Sequence, residues 1–273
     1  MRIITLFCLA ILFMSCDCYI ATPIPSIPAL QDTSFLIIFN GESNSGGAAY
    51  DSLSNSADLL PQPQVQILNN STFSFEMLDI GTNNTIDHYN MPAGRHGWEL
   101  NLSKMVAAET NYYGDTVYLV KTGQGLSRID EWAVTTSDTT NGYIGKFKKR
   151  LDTAQYKIKN RSLKKVIFLS IGLNDIIYGG PTATSLFKSR VIQHIATMRA
   201  ITGANTPVIM TKFFAPYTNY DSVIDSIANN SGLTNVYSVS GSSAPLMDGV
   251  HWNDAGLKIV SDRMLDVLKT IYP

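Results

Sequence analysis

The run Phe35-Leu-Ile-Ile-Phe39, followed at once by Asn-Gly-Glu-Ser-Asn-Ser-Gly-Gly47, decides how the chain folds. Its first half is apolar on successive residues, which is typical of a strand buried on both faces of a parallel sheet. Its second half is a turn in which glycines let the chain bend sharply and leave the Ser43 hydroxyl exposed. Such a turn lies at the carboxyl edge of the sheet, where open α/β folds place their ligands. Taken alone, this composition fits any tight turn.

Three more apolar runs of this kind follow and alternate with amphipathic stretches. The further predicted strands cover residues 117–120, 166–171 and 208–211. The predicted helices cover residues 99–110, 144–158, 185–201, 222–229 and 254–271. Alternating strands and helices imply right-handed crossovers. The pattern therefore predicts an α/β fold, a three-layer α/β/α sandwich with a central parallel sheet.

One region, about residues 50–95, interrupts this alternation. It is rich in Asn, Ser, Thr and Pro, and its segment 65–77 predicts a hairpin around Asn69-Asn70. Because the region leaves the sheet at its carboxyl edge, we expect this polar hairpin insertion to shape a cleft there. Residues 34–273 are otherwise predicted to form a single domain.

The first 15 residues predict a secretory signal peptide, since Arg2 precedes a short apolar run. Ser15-Cys16 resembles the cleavage box of bacterial lipoproteins, in which Cys16 becomes the lipidated first residue. Phe13 stands where that box usually has leucine, and an ordinary signal peptide cut nearby is the alternative. Residues 16–33 contain several prolines, which disfavour helix and central strand and predict a semi-extended tether.

These features predict an exported protein, either a lipoprotein of the bacterial cell envelope or a secreted or periplasmic protein. Its contact with a membrane would run only through the N-terminal lipid. The 21 Lys and Arg against 22 Asp and Glu leave no basic excess, which argues against nucleic acid as a partner. The 45% hydrophobic content rules out disorder. All three cysteines lie within the first 18 residues, so the body has no thiol for a disulfide, a thiolate metal site or a nucleophile.

A second polar loop, just before the last predicted helix, contains an acid and a histidine. Asp248 and His251 are three residues apart, close enough for the carboxylate to hold the imidazole and fix its tautomer. Together with Ser43 they form the residue set of a serine hydrolase. An exposed loop histidine beside a helix-capping Asn253 is the alternative.

Two further loops follow the second and third strands and reach the same sheet edge. Gly123-Gln-Gly125 and Gly172-Leu-Asn-Asp175 offer glycine N–H groups and the Asn174 amide as donors to an oxyanion. A dinucleotide-binding fingerprint is excluded, since Arg128 stands where its last glycine belongs. Asp175 is also interpretable as a simple cap of the next turn.

Four blocks occur in the order typical of a known superfamily. They are Gly41-Glu-Ser-Asn44, Gly125 with Ile129-Asp-Glu-Trp132, Gly172-Leu-Asn-Asp175 and Asp248-Gly-Val-His251. On these blocks, the chain from about Ser34 to its end resembles the SGNH, or GDSL-type, hydrolases, nearest the carbohydrate-esterase branch with sialate O-acetylesterases and acetylxylan esterases. His96-Gly-Trp-Glu-Leu100 is similar to the Gly-Pro-Glu segment of that branch. Glu42 replaces its usual glutamine, and the third block has the general Gly-x-Asn-Asp form.

The resemblance implies a flavodoxin-like SGNH hydrolase fold and a serine esterase that uses no metal and no cofactor. It implies that Ser43 is the nucleophile, His251 the base and Asp248 its orienting acid. It also implies an oxyanion hole formed by the Ser43 N–H, the Gly125 N–H and the Asn174 side chain. The order of these residues, without Gly-x-Ser-x-Gly, separates the chain from the α/β-hydrolases.

The implied substrate is a carbohydrate or glycan that carries O-acetyl or other short acyl groups. Trp98, Glu99 and Trp132 are candidate substrate-binding residues, as is Tyr89, with burial in the core as the alternative for the aromatic rings. Gly123 can take the role of Gly125 if the loop is read in another register. The competing functions are a lipid-anchored glycan-binding protein on an inactive SGNH fold, and a short-chain lipid or peptidoglycan esterase.

Overall fold

The apolar run that begins at Phe35 forms the central strand, β1 (Thr33–Gly41), of a seven-stranded sheet. The structure is a computed structural model that describes residues 33–50, 59–80, 94–108, 116–132, 142–179 and 184–273. The side chains from Phe35 to Phe39 are all 0% exposed, so β1 is covered on both faces. Burial of each such side chain contributes roughly 1.5–3 kcal/mol to folding.

Six further strands extend this sheet on both sides of β1, and two others form a separate ribbon. They are β2 (Ala49–Tyr50), β3 (Gln62–Leu68), β4 (Phe75–Leu78), β5 (Arg95–His96), β6 (Val117–Lys121), β7 (Ser162–Ser170), β8 (Val208–Thr211) and β9 (Val236–Val239). The sheet order is β4-β3-β6-β1-β7-β8-β9, and β2 pairs with β5 in a separate antiparallel ribbon. Every described pairing in the main sheet is parallel except β3 with β4.

Helices follow the strands and pack in two groups. They are α1 (Ser43–Gly46), α2 (Trp98–Ala108), α3 (Ile129–Trp132), α4 (Gly142–Lys157), α5 (Leu173–Tyr178), α6 (Thr184–Thr202), α7 (Asp221–Asn230) and α8 (Asp254–Ile271). Helix α2 packs on α8, whereas α6 packs on α3, α4 and α7. The predicted α/β fold with flanking helices is confirmed, and the central sheet, which was predicted to be parallel, is parallel except for the antiparallel pairing of β4 with β3.

The predicted hairpin exists, but it is part of the main sheet. Its turn is held by Asn69, whose side-chain oxygen accepts from the N–H groups of Ser71 and Thr72. Strand β3 pairs parallel with β6 and buries Val65 and Ile67 completely, so its apolar face extends the core. Residues 51–58 and 81–93 of the same region lie outside the described residues.

The predicted signal peptide, Cys16 and almost the whole tether also lie outside the described residues, and these features stay predictions. All described residues fall in one compact unit. Within that part of the chain, no helix combines the length and the apolar character needed to cross a membrane.

Candidate active site

The turn after β1 places Ser43 at the carboxyl edge of the sheet. Gly41 adopts a φ of +116°, and a side chain there would overlap the carbonyl oxygen of Ser170 in β7. Only glycine fits both constraints. The chain then enters α1, whose first residue is Ser43, and the Gly46 and Gly47 N–H groups donate to the carbonyl oxygens of Glu42 and Ser43. Ser43 is 5% exposed, so it is more buried than the glycine-rich turn predicted.

The structure brings Ser43, His251 and Asp248 together in one hydrogen-bonded line. His251 Nδ1 lies 2.7 Å from Asp248 Oδ2, and the ring donates a hydrogen bond to this carboxylate. His251 Nε2 lies 2.9 Å from Ser43 Oγ, where it can accept from the hydroxyl. This pair of contacts fixes the imidazole tautomer that a general base requires.

Asp248 is held as an anion by the loop that contains it. One of its oxygens accepts from the backbone N–H groups of His251 and Val250, at 2.8 and 3.1 Å. Partial burial acts to raise the pKa of Asp248, but the hydrogen bonds from the His251 ring and from these amides outweigh it and lower the pKa. A carboxylate that stays ionised can stabilise an imidazolium when the base takes a proton.

Asn44 joins the Ser43 turn to the His251 loop, a role that the sequence did not reveal. Its amide nitrogen donates to the Val250 carbonyl at 3.2 Å, and its side-chain oxygen accepts from the Trp252 N–H at 3.3 Å. The two contacts flank His251 on either side in the chain. Asn44 therefore links the turn that carries the hydroxyl to the loop that carries the imidazole.

The two predicted oxyanion loops also lie against the Ser43 turn. The Gln124 N–H donates to the Gly41 carbonyl at 2.8 Å, which fixes the Gly123-Gln-Gly125 loop beside it. A Cβ on Gly123 would lie 2.5 Å from Ser45 Oγ, so Gly123 packs directly on α1. The Asn174 side chain donates to the Ser127 carbonyl at 3.1 Å and so joins this loop to α5.

Glu42, noticed in the sequence only as an unusual residue, is buried against the start of α5. Its two carboxyl oxygens accept from the backbone N–H groups of Leu173 and Asn174, at 3.3 and 3.0 Å. Burial raises the pKa of Glu42 to about 8, although the hydrogen bonds from these amides oppose the shift.

Asp175 makes a second buried link, and it does more than cap the next turn. Both of its oxygens accept from the Ile129 N–H, at 3.2 and 3.1 Å, and so tie α5 to the start of α3. Burial raises the pKa of Asp175 to about 6, against the opposing hydrogen bond from Ile129.

The predicted substrate contacts of Trp98, Glu99 and Trp132 are not supported, because all three side chains are buried. Trp98 is 0% exposed and packs on Phe39, and the Trp132 indole donates to Ser127 Oγ. Glu99 is 2% exposed and accepts from Lys121 Nζ at 2.5 Å. These three residues are therefore part of the buried interior beneath the site loops. Tyr89 lies outside the described residues.

Among the described residues, no group of three or more His, Cys, Asp or Glu side chains is arranged to hold a metal ion.

Comparison with known proteins rests on structure. No protein-family model matches the chain, and no curated protein matches it either. A protein from Arabidopsis thaliana superposes with a TM-score of 0.70 at 14% identity, over 88% of this chain and 99% of its own. NanS has a TM-score of 0.64 at 11% identity, over 89% of this chain and 98% of its own. A carbohydrate acetylesterase from Xanthomonas citri gives 0.58 at 10% identity, over 88% of this chain and 56% of its own.

The chain shares the α/β fold of these solved structures. The resemblance first read from the four blocks is thus confirmed at the level of the fold, since likeness at such low identity concerns architecture. What the site does has to be argued from its own residues.

Proposed function

We propose that the protein is an exported serine esterase that removes acetyl or other short acyl groups from a carbohydrate. The observation that carries this proposal is the line of hydrogen bonds from Ser43 through His251 to Asp248. A hydroxyl, an imidazole and a carboxylate in this order form an activated nucleophile. Export rests on the N-terminal sequence pattern, and the carbohydrate substrate on the branch resemblance and on a structural neighbour that is a carbohydrate acetylesterase.

The reaction proceeds in two acyl-transfer steps. Ser43 Oγ attacks the ester carbonyl carbon while His251 Nε2 takes the hydroxyl proton, and Asp248 stabilises the imidazolium that forms. The bond to the sugar oxygen then breaks, and His251 returns the proton to that oxygen. In the second step, water attacks the acyl-enzyme with the same base, and Ser43 and a carboxylic acid are released.

The negative charge on the carbonyl oxygen needs donors at the same edge of the sheet. Ser43 is the first residue of α1, and first-turn amides have no acceptor inside their own helix. The Asn174 amide has two hydrogens, of which one is directed to Ser127, so a second can serve the oxyanion. The third donor to the oxyanion is a backbone N–H of the Gly123-Gln-Gly125 loop, and we assign this role to Gly125.

A fluorophosphonate probe, which captures activated serines, tests the proposal on the full chain. We expect one adduct, on Ser43, that is absent from Ser43→Ala and His251→Ala but retained in Ser240→Ala, a serine outside the site. A folded wild-type protein without an adduct on Ser43 would contradict the esterase and favour a glycan-binding protein. The substrate is tested separately by acetate release from acetylated sugars and from acetylated lipids, and release from the lipids alone would overturn the carbohydrate assignment.

A further inference from the structure

The Glu42 side chain links two parts of the site, the turn that carries Ser43 and the segment that carries Asn174. It immediately precedes Ser43 in the chain, and its side chain reaches residues more than a hundred positions away, at Leu173 and Asn174. It is 0% exposed. Burial of a carboxyl group costs free energy unless hydrogen bonds replace its solvation by water, and here the two backbone amides do so.

The contacts require an acceptor on each of the two oxygens. The Leu173 N–H is directed to Oε1 and the Asn174 N–H to Oε2. A carboxyl group keeps an acceptor on both oxygens whether or not it carries a proton, whereas the amide nitrogen of glutamine only donates. The branch that the chain resembles usually has glutamine here, but in this chain the single acceptor oxygen of glutamine can keep only one of these two hydrogen bonds, and its amide nitrogen then faces the other backbone N–H. The charged group that opposes ionisation of Glu42 is Asp175, the next residue of the same segment.

We propose that Glu42 is a positioning residue that fixes the Asn174 loop relative to Ser43, so that the Asn174 amide meets the oxyanion formed at Ser43. The inference rests on the proposed esterase function. Glu42 touches neither the substrate nor the reacting atoms, and it acts through Asn174. A misplacement of about 1 Å at a catalytic group can cost about 100-fold in rate.

The test compares Glu42→Gln with Glu76→Gln in the full-length protein. Glu76 is a matched control, since its two oxygens also accept hydrogen bonds, from Asn69 Nδ2 at 2.9 and 3.0 Å, but in the β3–β4 hairpin. With p-nitrophenyl acetate we expect Glu42→Gln to lower kcat by about 10- to 100-fold, with KM changed less than about twofold. Glu76→Gln should keep the wild-type kcat. If Glu42→Gln does not fold, Glu42→Asp replaces it, because its shorter side chain cannot reach both amides.

A double-mutant cycle separates positioning from a general loss of stability. If Glu42 acts through Asn174, then adding Glu42→Gln to Asn174→Ala should cost little further activity, whereas independent losses would multiply. The inference would be overturned if the two losses of activity multiplied, or if folded Glu42→Gln had the wild-type kcat. In both cases an active wild-type protein would still support the proposed esterase. A wild type without turnover and without a Ser43 adduct would instead reject the proposed function itself.

Discussion

Asn174 is the residue whose side chain tests the oxyanion hole most directly. Its amide donates to Ser127 at 3.1 Å, so the orientation of the side chain is fixed before substrate arrives. Loss of one preorganised oxyanion donor costs about 2.7–4 kcal/mol of barrier. We expect Asn174→Ala to lower kcat by about 10²- to 10³-fold and to leave KM nearly unchanged. Steady-state kinetics on p-nitrophenyl acetate check this, and an unchanged kcat would remove Asn174 from the oxyanion hole.

Asp248 provides the second prediction at this scale, because its lowered pKa concerns the pH dependence of activity. The hydrogen bonds that lower this pKa keep Asp248 ionised at pH values where an ordinary aspartate begins to take up a proton. The acid limb of the rate profile should therefore show no step from Asp248 near the ordinary pKa of an aspartate. Asp248→Asn should lower kcat by up to about 10⁴-fold. The loss is smaller if water replaces the carboxylate as the partner of His251, since 44% of the Asp248 side chain is exposed. An ionisation of Asp248 near the ordinary pKa of aspartate in the wild-type profile would contradict this account.

At the scale of the element, α1 is held by the loop that follows β6. Gly123 leaves no room for a Cβ, which would lie 2.5 Å from Ser45 Oγ and 2.6 Å from the Gly46 nitrogen. Gly123→Ala should displace α1 and lower both stability, by about 1–3 kcal/mol, and kcat. Gly232→Ala is the control, because Gly232 has a φ of +78° and open space around it, so it should lose stability only. Urea unfolding and kinetics measure both quantities, and full activity of folded Gly123→Ala would show that α1 tolerates the shift.

Some strands could be predicted from the sequence and others could not. Strands that are apolar on successive residues, such as β1 and β8, were predictable because burial on both faces leaves a continuous pattern. Strand β9 was missed, since it has four residues with two only partly buried in the middle. The pairing of β3 with β6 was missed because a polar-rich hairpin gives no sign of which strand it joins.

The same limit applies within the site. Residue types and order predicted that Ser43, Asp248 and His251 would meet, but not that Glu42 would bind the amides of Leu173 and Asn174, since such contacts arise only from tertiary packing. The burial of Trp98 could not be read from its sequence neighbours either, because tryptophan is common both in cores and in sugar-binding sites.

At the scale of the molecule, the site is assembled by loops from strands β1, β6 and β7 and from the segment before α8. Two buried carboxyl groups, Glu42 and Asp175, link the loops to one another. Because both groups can bind a proton, the stability of this arrangement of loops depends on pH. Because the pKa of each is raised by burial, the native state binds these protons more tightly than the unfolded chain.

The sign of the resulting pH dependence of stability follows from this difference. As pH rises above 4.5, the unfolded chain releases the Glu42 proton while the native protein holds it until about pH 8, so the free energy of unfolding falls across this window. Asp175 contributes in the same direction between pH 3.8 and about 6. Glutamine at position 42 has no proton to release. We therefore expect the stability of Glu42→Gln relative to wild type to increase steadily between pH 5 and pH 8 in urea unfolding. Parallel curves for the two proteins would show that the Glu42 carboxyl ionises equally in both states and that its burial carries no electrostatic cost.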